Sequence, residues 1–167
     1  MTKLEQHIIL IGFMGVGKST VGKELANILN IPFIDMDEEI IKQEGRTIPD
    51  IFKLAGEKYF RKIETMILQR IIQSPNQAVI ATGGGIILSK QNRLLIKQHY
   101  TILLDASIDE VYRRVSGNSE DRPLLQSNQD LRRRLEDLYR SRSSLYQELA
   151  DVIIDTEKRI SRRLLKK

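Results

Sequence analysis

The chain has 167 residues and no cysteine, with 41% hydrophobic and 29% charged residues. This length corresponds to one domain, and the balance is that of a globular protein rather than of a collagen-like or disordered chain. The absence of cysteine excludes a disulfide scaffold, a thiolate metal site and a cysteine nucleophile.

The net charge of +5 arises at the end of the sequence. Residues 158–167 contain six lysines and arginines and no acid, so that residues 1–157 carry a net charge of −1. Such a segment suits a nucleic acid or a membrane surface, but we interpret it as the solvated face of a last helix. Because neither a signal-like segment nor a run of about 20 apolar residues is found, we expect a cytoplasmic protein without a membrane span.

Short apolar segments alternate with longer amphipathic ones along the chain. Strands are predicted at 7–11, 32–35, 78–82, 101–104 and 152–154, and helices at 18–29, 37–44, 48–73, 89–98, from Ser107 onward, at 129–149 and in the basic tail. Continuously apolar strands between helices indicate an α/β fold, a five-stranded parallel sheet within three α/β/α layers. Ligands of such sheets bind beyond the carboxyl ends of the strands, so the residues after each strand are the candidates for function.

Residues 12–19, Gly-Phe-Met-Gly-Val-Gly-Lys-Ser, follow the first predicted strand and match the phosphate-binding pattern G-x-x-x-x-G-K-[ST]. The glycines let backbone N–H groups converge on a phosphate chain at the positive end of a helix. Lys18 adds a positive charge at the β- and γ-phosphates, and Ser19 offers an oxygen to Mg²⁺. The motif predicts a nucleoside triphosphate ligand, but not the reaction.

Asp35 and Asp37 follow the second predicted strand. Residues two apart in an extended segment face the same side, so one carboxylate is placed to hold Mg²⁺ and the other to hold the hydroxyl that attacks the γ-phosphate. Glu38 and Glu39, which come next, are equally explained as the acidic first turn of a helix.

Glycines and arginines supply the remaining candidates. Gly83, Gly84 and Gly85 follow the third strand, either to let a small molecule approach the backbone or to form a tight turn. Arg122, in the polar segment 116–128, is either a lid arginine that closes on the transferred phosphoryl group or an exposed loop residue.

Three further arginines lie on predicted helices. Arg61 is explained by pairing with Glu57 or Glu64 at helical spacing. Either Arg140 or Arg142 suits an anionic substrate. His7 and His99 flank strands, and we interpret both as structural.

In their order and spacing these motifs resemble the shikimate kinase family, which has the nucleoside-monophosphate-kinase-like P-loop fold. The resemblance covers about residues 8–159 and rests on segments 12–19, 33–37, 45–64, 83–85 and 122–125, followed by Arg142 and Leu145-Tyr146. It implies a single P-loop kinase domain, residues 1–167, with substrate-binding helices at about 36–73 and a lid at about 116–128. It also implies phosphorylation of the 3-hydroxyl of shikimate by ATP, in the route to chorismate and aromatic amino acids.

The resemblance further implies a role for each matching residue. The catalytic group is Lys18, Asp37 and Arg122, and Mg²⁺ is held by Ser19 and Asp35. The implied ATP-binding residues are Gly12, Gly15, Val16, Gly17, Lys18, Ser19, Thr20, Arg114, Arg122 and Arg159. The implied substrate-binding residues are Asp37, Arg61, Gly83, Gly84, Gly85 and Arg142, with Arg61 and Arg142 pairing with the carboxylate. The expected partners are ATP and shikimate, without nucleic acid or membrane, for a monomeric protein.

Two features blur the pattern. The segment before Arg122 is one residue longer than expected, so Arg113 competes with Arg114, and Ser143-Ser144 stands where the family often has proline. The alternative functions are a gluconate or nucleotide kinase, an ATPase that binds DNA or RNA through the basic tail, and a non-catalytic relative. Two arginines for one carboxylate favour an acidic substrate.

Overall fold

The computed structural model describes residues 6–116 and 130–157. The strands within these ranges are β1 (Ile8–Ile11), β2 (Phe33–Asp35), β3 (Val79–Ala81), β4 (Tyr100–Asp105) and β5 (Val152–Asp155). The helices are α1 (Lys18–Leu29), α2 (Met36–Glu44), α3 (Ile48–Ile72), α4 (Lys90–Ile96), α5 (Ile108–Val115) and α6 (Leu131–Leu149), with a 3-10 helix at Ile86–Leu88. The predicted tail helix and almost all of the predicted lid lie outside the described residues.

All pairings in the sheet are parallel, and the strand order is β2-β3-β1-β4-β5. Ile9 in the central strand lies opposite Ile80 of β3 and Thr101 of β4. Ile9, Leu10 and Ile11 are all completely buried. Successive strand residues point to opposite faces, so both faces of the sheet are covered at its central strand, whereas the edge strand β5 is largely exposed within the described residues. The predicted α/β fold with a five-stranded parallel sheet is confirmed.

Local signals set several helix starts. Thr47 and Ser107 accept hydrogen bonds from the backbone N–H groups of the residues three positions later, as N-caps of α3 and α5. The helix predicted over 48–73 is not continuous, because Gly56 has φ 81° and ψ 170°, outside the helical region. This kink separates the first turns of α3 from its long second part, and only a glycine adopts such a conformation without strain.

The strand order places three loops side by side. The segment after β1 is the phosphate-loop motif, β2 ends at Asp35, and β3 leads into Gly83–Gly85. Because these three strands are neighbours and parallel, their carboxyl ends open onto the same edge of the sheet. The fold therefore brings the sequence-predicted candidates of three separate segments together.

At the opposite, amino-terminal edge, His7 and His99 precede β1 and β4 and contact each other. Their ring centroids are 5.1 Å apart, and the His7 backbone N–H donates to Nδ1 of His99 at 3.3 Å. Burial and the neighbouring His7 lower the pKa of His99. A protonated imidazole has no acceptor, so protonation of His99 removes this bond.

A pH dependence of stability follows from this contact. The folded state holds the His99 proton less tightly than the unfolded state, whose pKa is near 6.5, so stability is present above this pH and is lost as the pH falls through the folded-state pKa. We expect a lower melting temperature at about pH 5 than at about pH 7, and a smaller difference in His99→Gln, whose amide does not titrate in this range. Thermal unfolding followed by circular dichroism measures both. An unchanged pH dependence in the variant would assign the effect to other groups.

Candidate active site

Buried side chains and the side chain of its own lysine hold the phosphate-loop segment in place. Phe13 and Val16 are buried beneath the loop. Gly12 has φ +146°, and a Cβ there would lie 2.3 Å from the carbonyl oxygen of Leu104, so only glycine fits. Lys18 Nζ donates to the carbonyl oxygens of Gly12 and Phe13 at 2.7 and 2.8 Å. The loop therefore carries its positive charge at the point where the motif places a phosphate chain.

A cleft of about 320 Å³ opens beside this loop. Its lining residues come from the carboxyl-terminal edge of the sheet and from α5, and they are Met14, Gly15, Gly17, Lys18, Ser19, Thr20, Asp35, Asp37, Thr82, Gly83, Gly84 and Arg114. One cleft thus combines residues predicted for nucleotide, for metal and for substrate, whereas Arg61, Gly85 and Arg142 are not among its lining residues.

Asp35 links the phosphate loop to α2. The Ser19 hydroxyl donates to Asp35 Oδ2 at 2.5 Å, while Oδ1 accepts the backbone N–H groups of Asp37 at 2.9 Å and of Glu38 at 3.4 Å. Asp35 is therefore both the N-cap of α2 and the partner of the loop serine. Glu38 and Glu39 lie in the acidic first turn of α2.

Arg61 lies against the glycine segment that follows β3. Its guanidinium contacts Glu64 Oε1 at 2.9 Å and Glu57 Oε1 at 3.3 Å. A Cβ on Gly85 would lie 2.4 Å from Nη2 of Arg61, so the guanidinium occupies the space that a side chain would need. Of the two arginines of α6 predicted as alternatives for an anionic substrate, Arg142 is 3% exposed and Arg140 is exposed.

Glu64, which the sequence predicts as a partner of Arg61 and as part of the segment 45–64, is a buried acid beside Gly83. It is 1% exposed, and its Oε2 lacks a hydrogen-bond partner among the described residues. Burial raises the pKa of Glu64, and the charge of Arg61 opposes this effect. The available signal was the spacing, because Glu64 lies on the same helical face as the buried Phe60 and Leu68.

Arg114 closes the cleft near α5. Its guanidinium donates to the carbonyl oxygens of Gly15 at 3.2 Å and of Thr156 at 3.0 Å, and its Nε donates to Glu110 at 2.6 Å. Hydrogen bonds from Arg113 and Arg114 lower the pKa of Glu110 to about 2, so this carboxylate stays ionised and holds Arg114 in place. Arg113 has a 72% exposed side chain and does not line the cleft.

Two predicted site residues, Arg122 and Arg159, lie outside the described residues. In the described parts of the chain, no group of three or more His, Asp or Glu side chains is arranged to hold a metal ion. The described helices include none that is long and apolar enough to cross a membrane.

Known proteins resemble this chain in sequence and in fold. The family model described as shikimate kinase matches residues 14–167. The chain belongs to the shikimate kinase family. A shikimate kinase of Nitrosospira multiformis is 43% identical over 159 residues, which cover 95% of this chain and 80% of the relative. One from Persephonella marina is 42% identical over 153 residues, covering 91% and 90%.

Solved structures show the same relationship. A shikimate kinase from Acinetobacter baumannii, in complex with shikimate, is 37% identical and aligns with a TM-score of 0.90 over 98% of this chain and 90% of that one. A gluconokinase from Sinorhizobium meliloti, 19% identical, aligns with a TM-score of 0.57 over 92% of this chain and 84% of its own, and shares the fold alone. The resemblance to the shikimate kinase family, the P-loop kinase fold and the assignment as a phosphotransferase are confirmed.

Proposed function

We propose that this chain transfers the γ-phosphoryl group of ATP to the 3-hydroxyl of shikimate. The observation that carries the proposal is the convergence on one sheet edge of the phosphate loop, Asp37 and the Arg61 guanidinium. Two guanidinium groups match a planar carboxylate, and a carboxylate accepts a hydrogen bond from a hydroxyl, so Arg61, Arg142 and Asp37 together suit an acid that carries an alcohol group.

The donor side would be formed by the loop. Its backbone N–H groups and the start of α1 would bind the phosphates of ATP, and Lys18 would neutralise the β- and γ-phosphates. Arg114 would lie near the base, and Arg122 and Arg159 would complete the nucleotide site from segments outside the described residues. The residues assigned to ATP are Gly12, Gly15, Val16, Gly17, Lys18, Ser19, Thr20, Arg114, Arg122 and Arg159.

The chemistry of the donor set also suits Mg²⁺. A hydroxyl and a carboxylate are oxygen ligands, and Mg²⁺ usually keeps several waters besides one or two carboxylates and phosphate oxygens. Ser19 and Asp35, joined at 2.5 Å, would hold the ion, directly or through water. Bound there, Mg²⁺ would supply positive charge at the β- and γ-phosphates.

The acceptor side would be formed by α2, α3, α6 and the glycine segment. Arg61 and Arg142 would bind the shikimate carboxylate, Gly83, Gly84 and Gly85 would line the pocket, and Asp37 would orient the 3-hydroxyl. The hydroxyl oxygen then forms a bond to the γ-phosphorus as the bond to the β–γ bridging oxygen breaks. Asp37 accepts the hydroxyl proton, and ADP leaves.

A substrate panel tests the proposal directly. Purified protein with ATP and Mg²⁺ should form ADP with shikimate, and not with gluconate or nucleoside monophosphates, in a coupled assay. Calorimetric titration with shikimate, with and without nucleotide, should show binding at one site. Failure to form ADP with shikimate would refute the proposal.

The other expectations from the sequence stay predictions. They are the single domain, the substrate-binding helices at about 36–73, the lid at about 116–128, the monomer, the cytoplasmic location and the absence of a nucleic-acid partner.

Asp35 gives a sharper prediction, because its two tasks are separable. Asparagine caps a helix about as well as aspartate but lacks the charge that Mg²⁺ requires, whereas alanine supplies neither. We expect Asp35→Asn and Asp35→Ala both to lower turnover, but only Asp35→Ala to weaken shikimate binding measured without nucleotide, with a loss of about 1 kcal/mol in stability. Calorimetry and chemical unfolding distinguish the two variants. Equal shikimate affinities in the two would show that the cap does not hold Asp37 in place.

A further inference from the structure

The buried hydroxyl of Tyr146 contacts the wall of the cleft from behind. Tyr146 lies on α6, is 2% exposed and donates a hydrogen bond to the carbonyl oxygen of Gly84, 62 residues earlier in the chain. Gly84 is one of the residues that line the cleft. Burial raises the pKa of Tyr146 to about 12, so the phenol stays protonated and remains a donor. The roles assigned above do not use this hydroxyl.

The glycine segment needs external support to keep one conformation. Three successive residues without side chains have unusually free backbones. The carbonyl oxygens of Gly83 and Gly85 accept N–H groups of Ile86 and Leu88 at 3.2 and 3.1 Å, as part of the 3-10 helix. The middle carbonyl, that of Gly84, is held by Tyr146. The bond from α6 therefore completes the anchoring of the segment.

Fixing this carbonyl also fixes an N–H group. In a planar trans peptide the C=O and the following N–H point in opposite directions, so the Gly84 carbonyl and the Gly85 N–H rotate together. A rotation of this peptide would also move Gly85, which lies directly against the Arg61 guanidinium. The Tyr146 hydroxyl thus controls the orientation of the cleft wall at its contact with Arg61.

The same helix carries the second arginine of the site. Arg142 and Tyr146 are four residues apart on α6, both are buried, and they share one face of the helix. The Arg142 guanidinium lies close enough to oppose the effect of burial on the pKa of Tyr146. One turn of α6 therefore supplies both a guanidinium to the site and the anchor of its glycine wall.

We propose that Tyr146 is a positioning residue, whose hydroxyl locks the Gly84–Gly85 peptide in the orientation that the acidic substrate requires. The identity of that substrate rests on the function proposed above, whereas the lock itself is a property of the protein alone. The tyrosine contributes through the glycine segment, not by touching the reacting atoms.

Tyr146→Phe tests the lock, because it removes the hydroxyl and keeps the ring in the core. The matched control is Tyr139→Phe, on the same helix. The Tyr139 hydroxyl donates to the Asp105 carboxylate at 3.1 Å, and neither residue lines the cleft. We expect Tyr146→Phe to raise KM for shikimate about 5- to 30-fold, as for a lost buried hydrogen bond, with KM for ATP changed by less than about twofold. Hydrogen exchange of the amides of residues 83–85 should become faster by a similar factor. Tyr139→Phe should change neither quantity.

The outcomes separate the lock from a general loss of stability and from the proposed function. Three results in Tyr146→Phe would each overturn the lock. They are unchanged exchange at residues 83–85, an unchanged KM for shikimate, and equal increases in both KM values with faster exchange throughout the protein. Exchange is measured without substrate, so it decides the lock even if the wild-type protein forms no ADP with shikimate. If Tyr146→Phe does not fold, the deuterium isotope shift of the Gly84 carbonyl carbon in the wild-type protein decides, since its absence refutes the hydrogen bond.

Discussion

Replacing Lys18 by alanine is expected to lower kcat/KM by about 10²–10³-fold while leaving the melting temperature close to that of the wild-type protein. The magnitude follows from the loss of one preorganised group that stabilises charge developing in the transition state. The fold should survive, because the loop is also held by Gly12, which lies against Leu104, and by the buried Phe13 and Val16. Steady-state kinetics in the coupled assay and thermal unfolding measure the two effects.

Lys23→Ala is the matched control for this experiment. Lys23 lies on the same helix, α1, is exposed, and its ammonium is 5.9 Å from the centre of the Phe33 ring, away from the cleft. Its removal should leave kcat/KM unchanged. A comparable loss of activity in both variants would mean that net positive charge, rather than the position of Lys18, supports the reaction.

Arg61→Ala is expected to weaken shikimate binding by about 2–5 kcal/mol, a factor of about 30 to 5000, with a much smaller effect on KM for ATP. The side chain is only 22% exposed, so a carboxylate bound there is largely removed from water. Arg70→Ala is the control, because Arg70 lies on the same helix in an exposed pair with Glu39, and such pairs contribute about 0–1 kcal/mol. Unaltered kinetic constants in Arg61→Ala would remove Arg61 from the site.

The same variant should also show a larger pH dependence of stability than the wild-type protein. Without Arg61 the pKa of Glu64, raised by burial, rises further, so the folded state binds a proton that the unfolded state has lost. Stability of Arg61→Ala should therefore fall as the pH rises above about 4.5, the ordinary pKa of glutamate. The double variant Arg61→Ala, Glu64→Gln should not show this fall. If it still binds shikimate weakly, the weak binding is due to the missing Arg61 guanidinium and not to the lower stability.

The local part of the site could be predicted from the sequence. The phosphate loop is a contiguous motif whose backbone conformation depends on its own glycines, and Asp35 and Asp37 are adjacent to it because β1, β2 and β3 are parallel neighbours. The order of apolar and amphipathic segments was sufficient for the fold class, since strands buried on both faces have no polar alternation.

The parts that depend on distant contacts could not be predicted in this way. The choice between Arg113 and Arg114 depends on which side of α5 faces Gly15, 99 residues from Arg114. The hydrogen bond from Tyr146 to Gly84 joins residues that are 62 positions apart in the chain. The four-residue spacing of Arg142 and Tyr146 places them on one helix face but does not show which group the tyrosine contacts. The non-helical backbone conformation of Gly56 could not be predicted either, because a single glycine in a helical pattern is compatible with an uninterrupted helix.

The carbonyl partners of Lys18 bear on the energetics of nucleotide binding. The ammonium already has two short hydrogen bonds within the loop. A phosphate oxygen that displaces either carbonyl replaces a neutral acceptor by a charged one, and only the difference between these two acceptors then contributes to affinity. Counting the contacts of Lys18 in a nucleotide complex would therefore overstate its contribution to the binding free energy. The two carbonyl contacts also stabilise the loop when no nucleotide is bound.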